Sequence, residues 1–157
     1  MRYILLISII LLGACASTHN NVQTLEANDT AIVKKLTSYA WSLIGVSYKS
    51  GGNSPKTGFD CSGFVGHVFQ HTANVSLPHE AQQISQQGIK VKFSQLREGD
   101  LVFYNTNDQA YSHVGIYLGN DRFIHAPSSG GSVRVEDMKL DYWKKHYNGA
   151  RRITLPG

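Results

Sequence analysis

The sequence predicts an α+β domain in which helices come first and an antiparallel sheet follows. Apolar residues recur at three- and four-residue steps between Thr30 and Gly45, the period of a helix. Beyond Gly99 the pattern changes to short strands that are separated by tight turns. Helices followed by consecutive strands indicate segregated elements. The roughly 130 residues after the N-terminal segments suffice for one domain with its own core.

The first fourteen residues are predicted to be a lipoprotein signal peptide. The apolar run at residues 3–12 is shorter than the roughly 20 residues that span a bilayer. It closes with Leu12-Gly13-Ala14-Cys15, which resembles the bacterial lipobox. We expect Cys15 to carry acyl chains such as palmitate and to anchor the protein. Ala16, where inner-membrane retention signals place Asp, points to the periplasmic face of the outer membrane. The alternative is an ordinary signal with a chance cysteine.

The helical elements are predicted in the first half of the chain. Residues 15–29 are polar and predict a flexible tether, so that the folded domain covers residues 30–157. The first helix then runs from Thr30 to a stop at Gly45, and a glycine-rich loop follows over residues 45–52. A second helix starts at or near Cys61, and residues 80–87 form a short third helix.

The strands occupy the second half. Alternation and turn residues predict strands over residues 101–104, 113–118, 122–126 and 132–135. A short helix is predicted over residues 142–147 and a last strand over residues 150–154. The consecutive strands and their tight turns favour antiparallel pairing.

The charge of the chain is mildly basic. The formal net charge of +4 falls by one when Arg2 leaves with the signal peptide. This balance suits a polyanionic polymer such as the cell wall, whereas the chain has no dense Lys/Arg block that would indicate nucleic acid. We expect a monomer without a cofactor or a metal.

Cys61 is the cysteine that remains a thiol once Cys15 is capped, because the chain has two cysteines. His113 and His125 follow it, each within an apolar segment. One cysteine followed by separated histidines is the outline of a thiol hydrolase. The competing interpretation of Cys61 is a small buried hydrophobe.

Each of these residues has a predicted role. At the start of a helix the thiol of Cys61 would have a lowered pKa, and its own N–H is a candidate oxyanion donor. His113, on a strand face shared with Gly115 and Tyr117, is the candidate base. His125 would accept a hydrogen bond from His113 and orient it. Either histidine could instead be structural.

Other polar residues are predicted near the thiol or away from it. Tyr48, Asp60 and Ser62 would line the substrate site, with Asp60 pairing with a substrate ammonium. His67 and His71 are four residues apart on a helix, but no third zinc ligand is close in sequence. We therefore expect packing or surface roles for these two histidines.

The chain resembles the NlpC-type papain-like cysteine peptidases of bacterial cell walls. The matching segments are residues 45–52, Phe59-Asp60-Cys61-Ser62-Gly63-Phe64-Val65, residues 96–102, residues 113–119 and residues 123–126. The resemblance implies a papain-like fold with N-terminal helices on a central sheet. It also implies Cys61 as nucleophile, His113 as base, His125 as third member and Tyr48 beside the thiol.

Within that family the chain is similar to the small lipoprotein murein endopeptidases, on Tyr142-Trp143-Lys144-Lys145 and Ala150-Arg151-Arg152. The resemblance implies cleavage of peptidoglycan at the D-alanine–meso-diaminopimelate crosslink, with the γ-D-glutamyl–diaminopimelate bond as alternative. An acyltransferase or amidase on the same fold and a non-catalytic wall-binding lipoprotein are the alternatives of another class. Pro78-His79-Glu80 departs from the Pro-Arg-Ser/Thr that such proteins often carry.

Overall fold

The computed structural model describes residues 16–129 and 131–156 and has the predicted α+β architecture. Four α-helices and one 3-10 helix are present in these residues: α1 (Ala16–Ser42), α2 (Cys61–Ala73), α3 (Ala81–Ile84), α4 (Asp141–His146) and the 3-10 turn Phe93–Gln95. The strands are β1 (Asn53–Ser54), β2 (Gly58–Phe59), β3 (Ile89–Val91), β4 (Leu101–Tyr104), β5 (His113–Tyr117), β6 (Arg122–His125), β7 (Arg134–Asp137) and β8 (Tyr147–Arg152). The predicted signal peptide and Cys15 lie outside the described residues.

A six-stranded antiparallel sheet forms the centre of the domain, in the order β3-β8-β4-β5-β6-β7. The run from β4 to β7 is a meander, in which strands that are consecutive in the sequence pair with each other. The C-terminal strand β8 enters between β3 and β4, and β1 and β2 form a separate two-stranded sheet. The predicted antiparallel sheet is therefore confirmed.

The two faces of the large sheet carry different cores because side chains alternate along each strand. One face packs against α1 and α2 through a large apolar cluster that includes Phe103, Val114 and Ile116. The other face packs against α4 through a smaller cluster built around Tyr104 and Trp143. His113 contacts Trp143 and therefore lies on the α4 side.

The first helix is longer than predicted. The helix continues back to Ala16, so the predicted flexible tether at residues 16–29 is wrong in these residues. No glycine or proline lies between Ala16 and Ser42, and nothing in that segment interrupts the backbone hydrogen bonds of the helix. Within the described part of the chain, no helix combines the length and the apolar character that a membrane crossing requires.

The element boundaries differ from the predictions where long-range pairing decides them. Strand β3 was not predicted, because it has three residues and exposes Ile89 to 61%. Its pairing partner is β8, about sixty residues later in the chain. Strand β7 begins two residues after its predicted start, and strand β8 begins three residues before its own predicted start. Helix α3 is shorter than the helix predicted over residues 80–87.

Candidate active site

The start of α2 is defined by Asp60, its N-cap residue. Asp60 has extended backbone angles, and its Oδ1 accepts a hydrogen bond from the Gly63 N–H at 2.7 Å. An aspartate that accepts from the third residue of the helix satisfies one of the unpaired N–H groups there. Helix α2 therefore begins at Cys61, as predicted, and the thiol lies at the positive end of the helix.

The glycine-rich loop lies directly against this helix start. The N–H of Asp60 donates to the Gly52 carbonyl at 3.0 Å. A side chain on Gly63 would overlap the same carbonyl oxygen, so glycine is required there for the close approach. The glycine-rich loop predicted over residues 45–52 thus packs beside the start of α2 at Cys61.

The environment of the Cys61 thiol combines burial with amide donors. Burial raises the pKa of Cys61 to about 11, although backbone hydrogen bonds from Val114, Ser62 and Cys61 oppose the rise. The expectation of a lowered thiol pKa is therefore wrong for the resting site, because desolvation of the anion outweighs the helix N-terminus. The amide of Val114 also places the sulfur next to His113, its neighbour in the chain.

His113 and His125 form a buried pair. His113 Nε2 lies 2.6 Å from His125 Nδ1, with the two rings nearly perpendicular. Their side chains are 6% and 0% exposed. Gly115 makes the approach possible, because a side chain there would come within 3.2 Å of His125 Cβ and within 2.7 Å of the Phe123 ring. The structure therefore brings together the three residues that the sequence selected.

Aromatic rings enclose the histidine pair. Trp143 of α4 stacks on His113 and meets His125 edge to face, while Phe123 packs on His125. Burial lowers the pKa of His113 to about 3 and also lowers the pKa of His125. Trp143 belongs to a segment that resembles the family, but no local pattern predicted its contact with the histidines, because that contact depends on the position of α4.

Two of the three residues predicted to bind substrate, Asp60 and Ser62, form hydrogen bonds at the start of α2 instead. Ser62 is 5% exposed and donates its hydroxyl to Asp60 at 3.0 Å, so it belongs to the helix cap. Asp60 Oδ2 also accepts from the Gly51 N–H at 3.0 Å. Tyr48 lies near the thiol, as predicted. Burial raises the pKa of Tyr48, and the nearby Asp60 and Cys61 raise it further. The predicted pairing of Asp60 with a substrate ammonium would compete with these donors.

His79 is a site residue whose role the sequence left open. Its Nε2 lies 3.0 and 3.1 Å from the two carboxylate oxygens of Asp60. The residue that departs from the family pattern therefore contacts the N-cap of α2, the helix that begins at Cys61. The partners are 19 positions apart in the sequence, so no local signal indicated the contact.

The pair His67 and His71 has the packing role that was expected. The Tyr39 hydroxyl lies 3.0 Å from His67 Nε2, and the Tyr39 ring stacks on His71 with centroids 4.1 Å apart. Among the described residues no group of three or more potential metal-binding side chains is found. These histidines tie α1 to α2.

Replacement of Asp60 by Asn is expected to make the Cys61 thiol more reactive. Asparagine keeps an oxygen for the helix cap but removes the carboxylate that contributes to the raised pKa of Cys61. Each unit by which the thiol pKa falls increases the thiolate fraction about tenfold below that pKa. The measurement is the rate of alkylation by iodoacetamide as a function of pH. Glu98→Gln, in the turn before β4, is the control, and equal profiles for both variants would contradict the expectation.

Comparison with known proteins identifies relatives of the whole domain. Residues 45–152 match the model of the NlpC/P60 family. The murein DD-endopeptidase MepS/murein LD-carboxypeptidase of Escherichia coli is 44% identical over 69% of this chain, and the γ-DL-glutamyl hydrolase of Bacillus subtilis is 40% identical over 82%. The chain spans 56% and 31% of the lengths of these proteins. The crystal structure of an NlpC/P60 family protein from Bacillus cereus matches 79% of this chain and 40% of that chain, with a TM-score of 0.73 and 29% identity.

Proposed function

Because the chain belongs to the NlpC/P60 family, we propose that it is a cysteine peptidase that hydrolyses peptide bonds in peptidoglycan. The observation that carries the proposal is the buried hydrogen bond between His113 and His125, beside the thiol of Cys61. A thiol next to an oriented imidazole is the arrangement that activates a cysteine nucleophile. The papain-like fold of this family supports the same function.

The proposed reaction begins with proton transfer from Cys61 to His113. Burial favours the neutral forms of Cys61 and His113, since it raises the thiol pKa and lowers the imidazole pKa. The thiol proton therefore passes to His113 as the sulfur attacks the substrate carbonyl. The positive charge on the imidazolium and the negative charge on the carbonyl oxygen then stabilise each other. The backbone N–H groups of Cys61 and Ser62 at the helix start are candidate donors to the developing oxyanion.

The second half of the reaction releases both products. His113 gives its proton to the leaving amine, and an acyl group remains on the sulfur of Cys61. Water then attacks the thioester while His113 accepts a proton from it. The bond to the sulfur breaks, the carboxylic acid product departs, and His113 returns the proton to the sulfur of Cys61. His125 holds the ring of His113 throughout, which is the orienting role of the third member of a triad.

We assign the D-alanine–meso-diaminopimelate crosslink as the bond that is cut. The E. coli relative is named as a DD-endopeptidase, which supports this choice, and its domain is 44% identical. The Bacillus relative is named as a γ-glutamyl hydrolase, which supports cleavage beside D-glutamate as the second candidate. The two bonds are at different positions of the stem peptide, so the products distinguish them.

The test uses purified muropeptides and mass spectrometry. Crosslinked dimers and uncrosslinked tetrapeptide monomers are incubated with the protein and, as control, with the Cys61→Ala variant. Conversion of dimers to intact tetrapeptide monomers supports crosslink hydrolysis. Dipeptide stems would favour the γ-D-glutamyl bond instead. Transfer of an acyl group to an added amine would indicate a transferase, and binding without any product would indicate a wall-binding protein.

We also propose that acylated Cys15 holds the protein at the periplasmic face of the outer membrane. The support is the lipobox resemblance of Leu12-Gly13-Ala14-Cys15. Cys15→Ala is expected to release the protein from the membrane fraction, because acyl chains contribute about 0.8 kcal/mol per buried CH₂. Cell fractionation followed by immunoblotting measures this release. Retention of the variant in membranes would argue against lipid anchoring, and hydrolysis by the purified variant should be unchanged.

A further inference from the structure

We propose that Glu136 is a fourth member of the site, a positioning residue that selects the tautomer of His125 and supports the positive charge on the histidine pair. The inference rests on the proposed peptidase activity for its catalytic consequence. The site would then consist of Cys61 on α2 and of His113, His125 and Glu136 on the three neighbouring strands β5, β6 and β7. Glu136 lies on β7, the strand next to that of His125.

The geometry at the far side of His125 carries the proposal. His125 is fully buried, and among residues 26–129 and 131–156 its Nε2 has no hydrogen-bond partner. A polar atom buried without a partner is costly and calls for an explanation. The nearest carboxylate oxygen, Oε1 of Glu136, lies 4.0 Å from Nε2. The buried nitrogen without a partner thus lies 4.0 Å from a carboxylate oxygen.

The tautomers connect Glu136 to the thiol. A neutral imidazole carries one N–H and one acceptor nitrogen. With the proton of His125 on Nε2, facing the carboxylate, Nδ1 accepts from the Nε2–H of His113. The Nδ1 atom of His113 is then free of a proton and can receive the one from Cys61. The opposite tautomer of His125 would place the proton of His113 on Nδ1 and remove its capacity to act as a base.

Charges around the pair act in opposite directions. Glu136 raises the pKa of His125, whereas Arg134 lowers the pKa of both histidines. The pKa of Glu136 is held near 2, chiefly by His125 and then by Arg134, so the carboxylate stays ionised at any working pH. Three further titratable groups are close to the pair: Tyr104 of β4 is the cross-strand partner of His113, Tyr147 of β8 packs on Tyr104, and the Cys61 thiol of α2 is hydrogen-bonded by the amide of Val114. Helix α4 contributes the uncharged Trp143.

A purely structural role makes a different prediction. Arg134 Nε lies 2.7 Å from Glu136 Oε1, and this ion pair is partly exposed on the edge strand. If the pair only stabilised β7, removing either partner would have the same effect. If Glu136 supports the histidines, removing Glu136 and removing Arg134 shift the titration of the site in opposite directions. Arg134→Gln is therefore the matched control for Glu136→Gln and Glu136→Ala.

The first measurement needs no substrate. Nitrogen-15 NMR of the histidine rings in the full chain reports the tautomers of His113 and His125 directly. The Nε2–H form of His125 is expected to dominate in the unmodified protein and in Arg134→Gln, and to lose population in Glu136→Ala. Identical tautomer populations in all three proteins would overturn the proposal, whether or not the protein hydrolyses murein.

The second measurement is the pH dependence of kcat/KM on the substrate that the muropeptide test identifies. Loss of the Glu136 carboxylate destabilises the imidazolium form of the pair, and deprotonation of that form sets the acidic limb, so the acidic limb should move to lower pH by about one unit, a tenfold change in the ionisation constant. Arg134→Gln should move the same limb to higher pH. The Glu136 variants should lower kcat about tenfold or more with KM unchanged. A change in KM alone, or equal shifts for Glu136 and Arg134 variants with equal thermal stability, would refute the positioning role.

Discussion

Replacement of Cys61 by alanine is expected to abolish hydrolysis of murein dimers, with a fall in kcat of about 10⁴-fold or more. The sulfur forms the covalent acyl intermediate in the proposed reaction, and no other free cysteine occurs among the described residues. The variant should still fold, because Cys61 is half-buried at a helix start whose cap is the neighbouring Asp60. Muropeptide hydrolysis followed by mass spectrometry measures the loss.

Cys61→Ser separates chemistry from packing in the same experiment. Serine preserves the size of the side chain, but a hydroxyl ionises far less readily than a thiol, and the His113 site is built for a sulfur nucleophile. Both variants should keep the thermal midpoint within a few degrees, as followed by circular dichroism. Hydrolysis by Cys61→Ala at the rate of the unmodified protein would remove the whole mechanism.

Replacement of His113 by alanine is expected to be nearly as damaging as loss of the thiol, because residues that act as one catalytic unit do not contribute additively. The raised pKa of Cys61 means that the thiol alone is almost entirely protonated at neutral pH. Without the imidazole there is no acceptor for its proton. Alkylation of Cys61 by iodoacetamide at neutral pH should slow in parallel with kcat, which gives a second readout.

His125→Ala should be less severe than His113→Ala. Loss of the orienting member can cost up to about 10⁴-fold in turnover in other triads, through the wrong tautomer of the base. His125 is also buried, so this variant should lose thermal stability as well. His125→Asn, which offers a smaller polar group to His113, should recover part of the activity. Full activity in His125→Ala would refute the assignment of His125 as the third member of the triad.

Short-range patterns in the sequence determined much of this protein. The apolar segments and turn residues around β4, β5 and β6 predicted those strands almost to the residue, because each strand buries all or nearly all of its four or five positions. The start of α2 at Cys61 also follows from local chemistry, since Asp60 precedes it as an N-cap. His113 and His125 were predicted to meet because a tight turn joins their strands.

Other features depended on the tertiary structure. Strand β8 enters the sheet beside β4, and the contact of Asp60 with His79 joins residues 19 positions apart. The position of Glu136 behind His125 depends on the register between β6 and β7. None of these pairs lies within the few residues over which a local pattern operates.

The ionisation of the site was also decided by the fold. From the sequence, a helix N-terminus predicted a lowered thiol pKa, whereas the folded site raises the pKa of Cys61 and lowers that of His113. A motif shows which groups are adjacent, but the free energy of a charge depends on how much water the surrounding elements exclude. Trp143 and the sheet around His113 exclude that water, and their packing exists only after β4, β5, β6 and α4 have come together. The sequence therefore predicted the three residues that meet at the candidate site, and the tertiary structure decided which protonation states burial favours there and which further residues contact them.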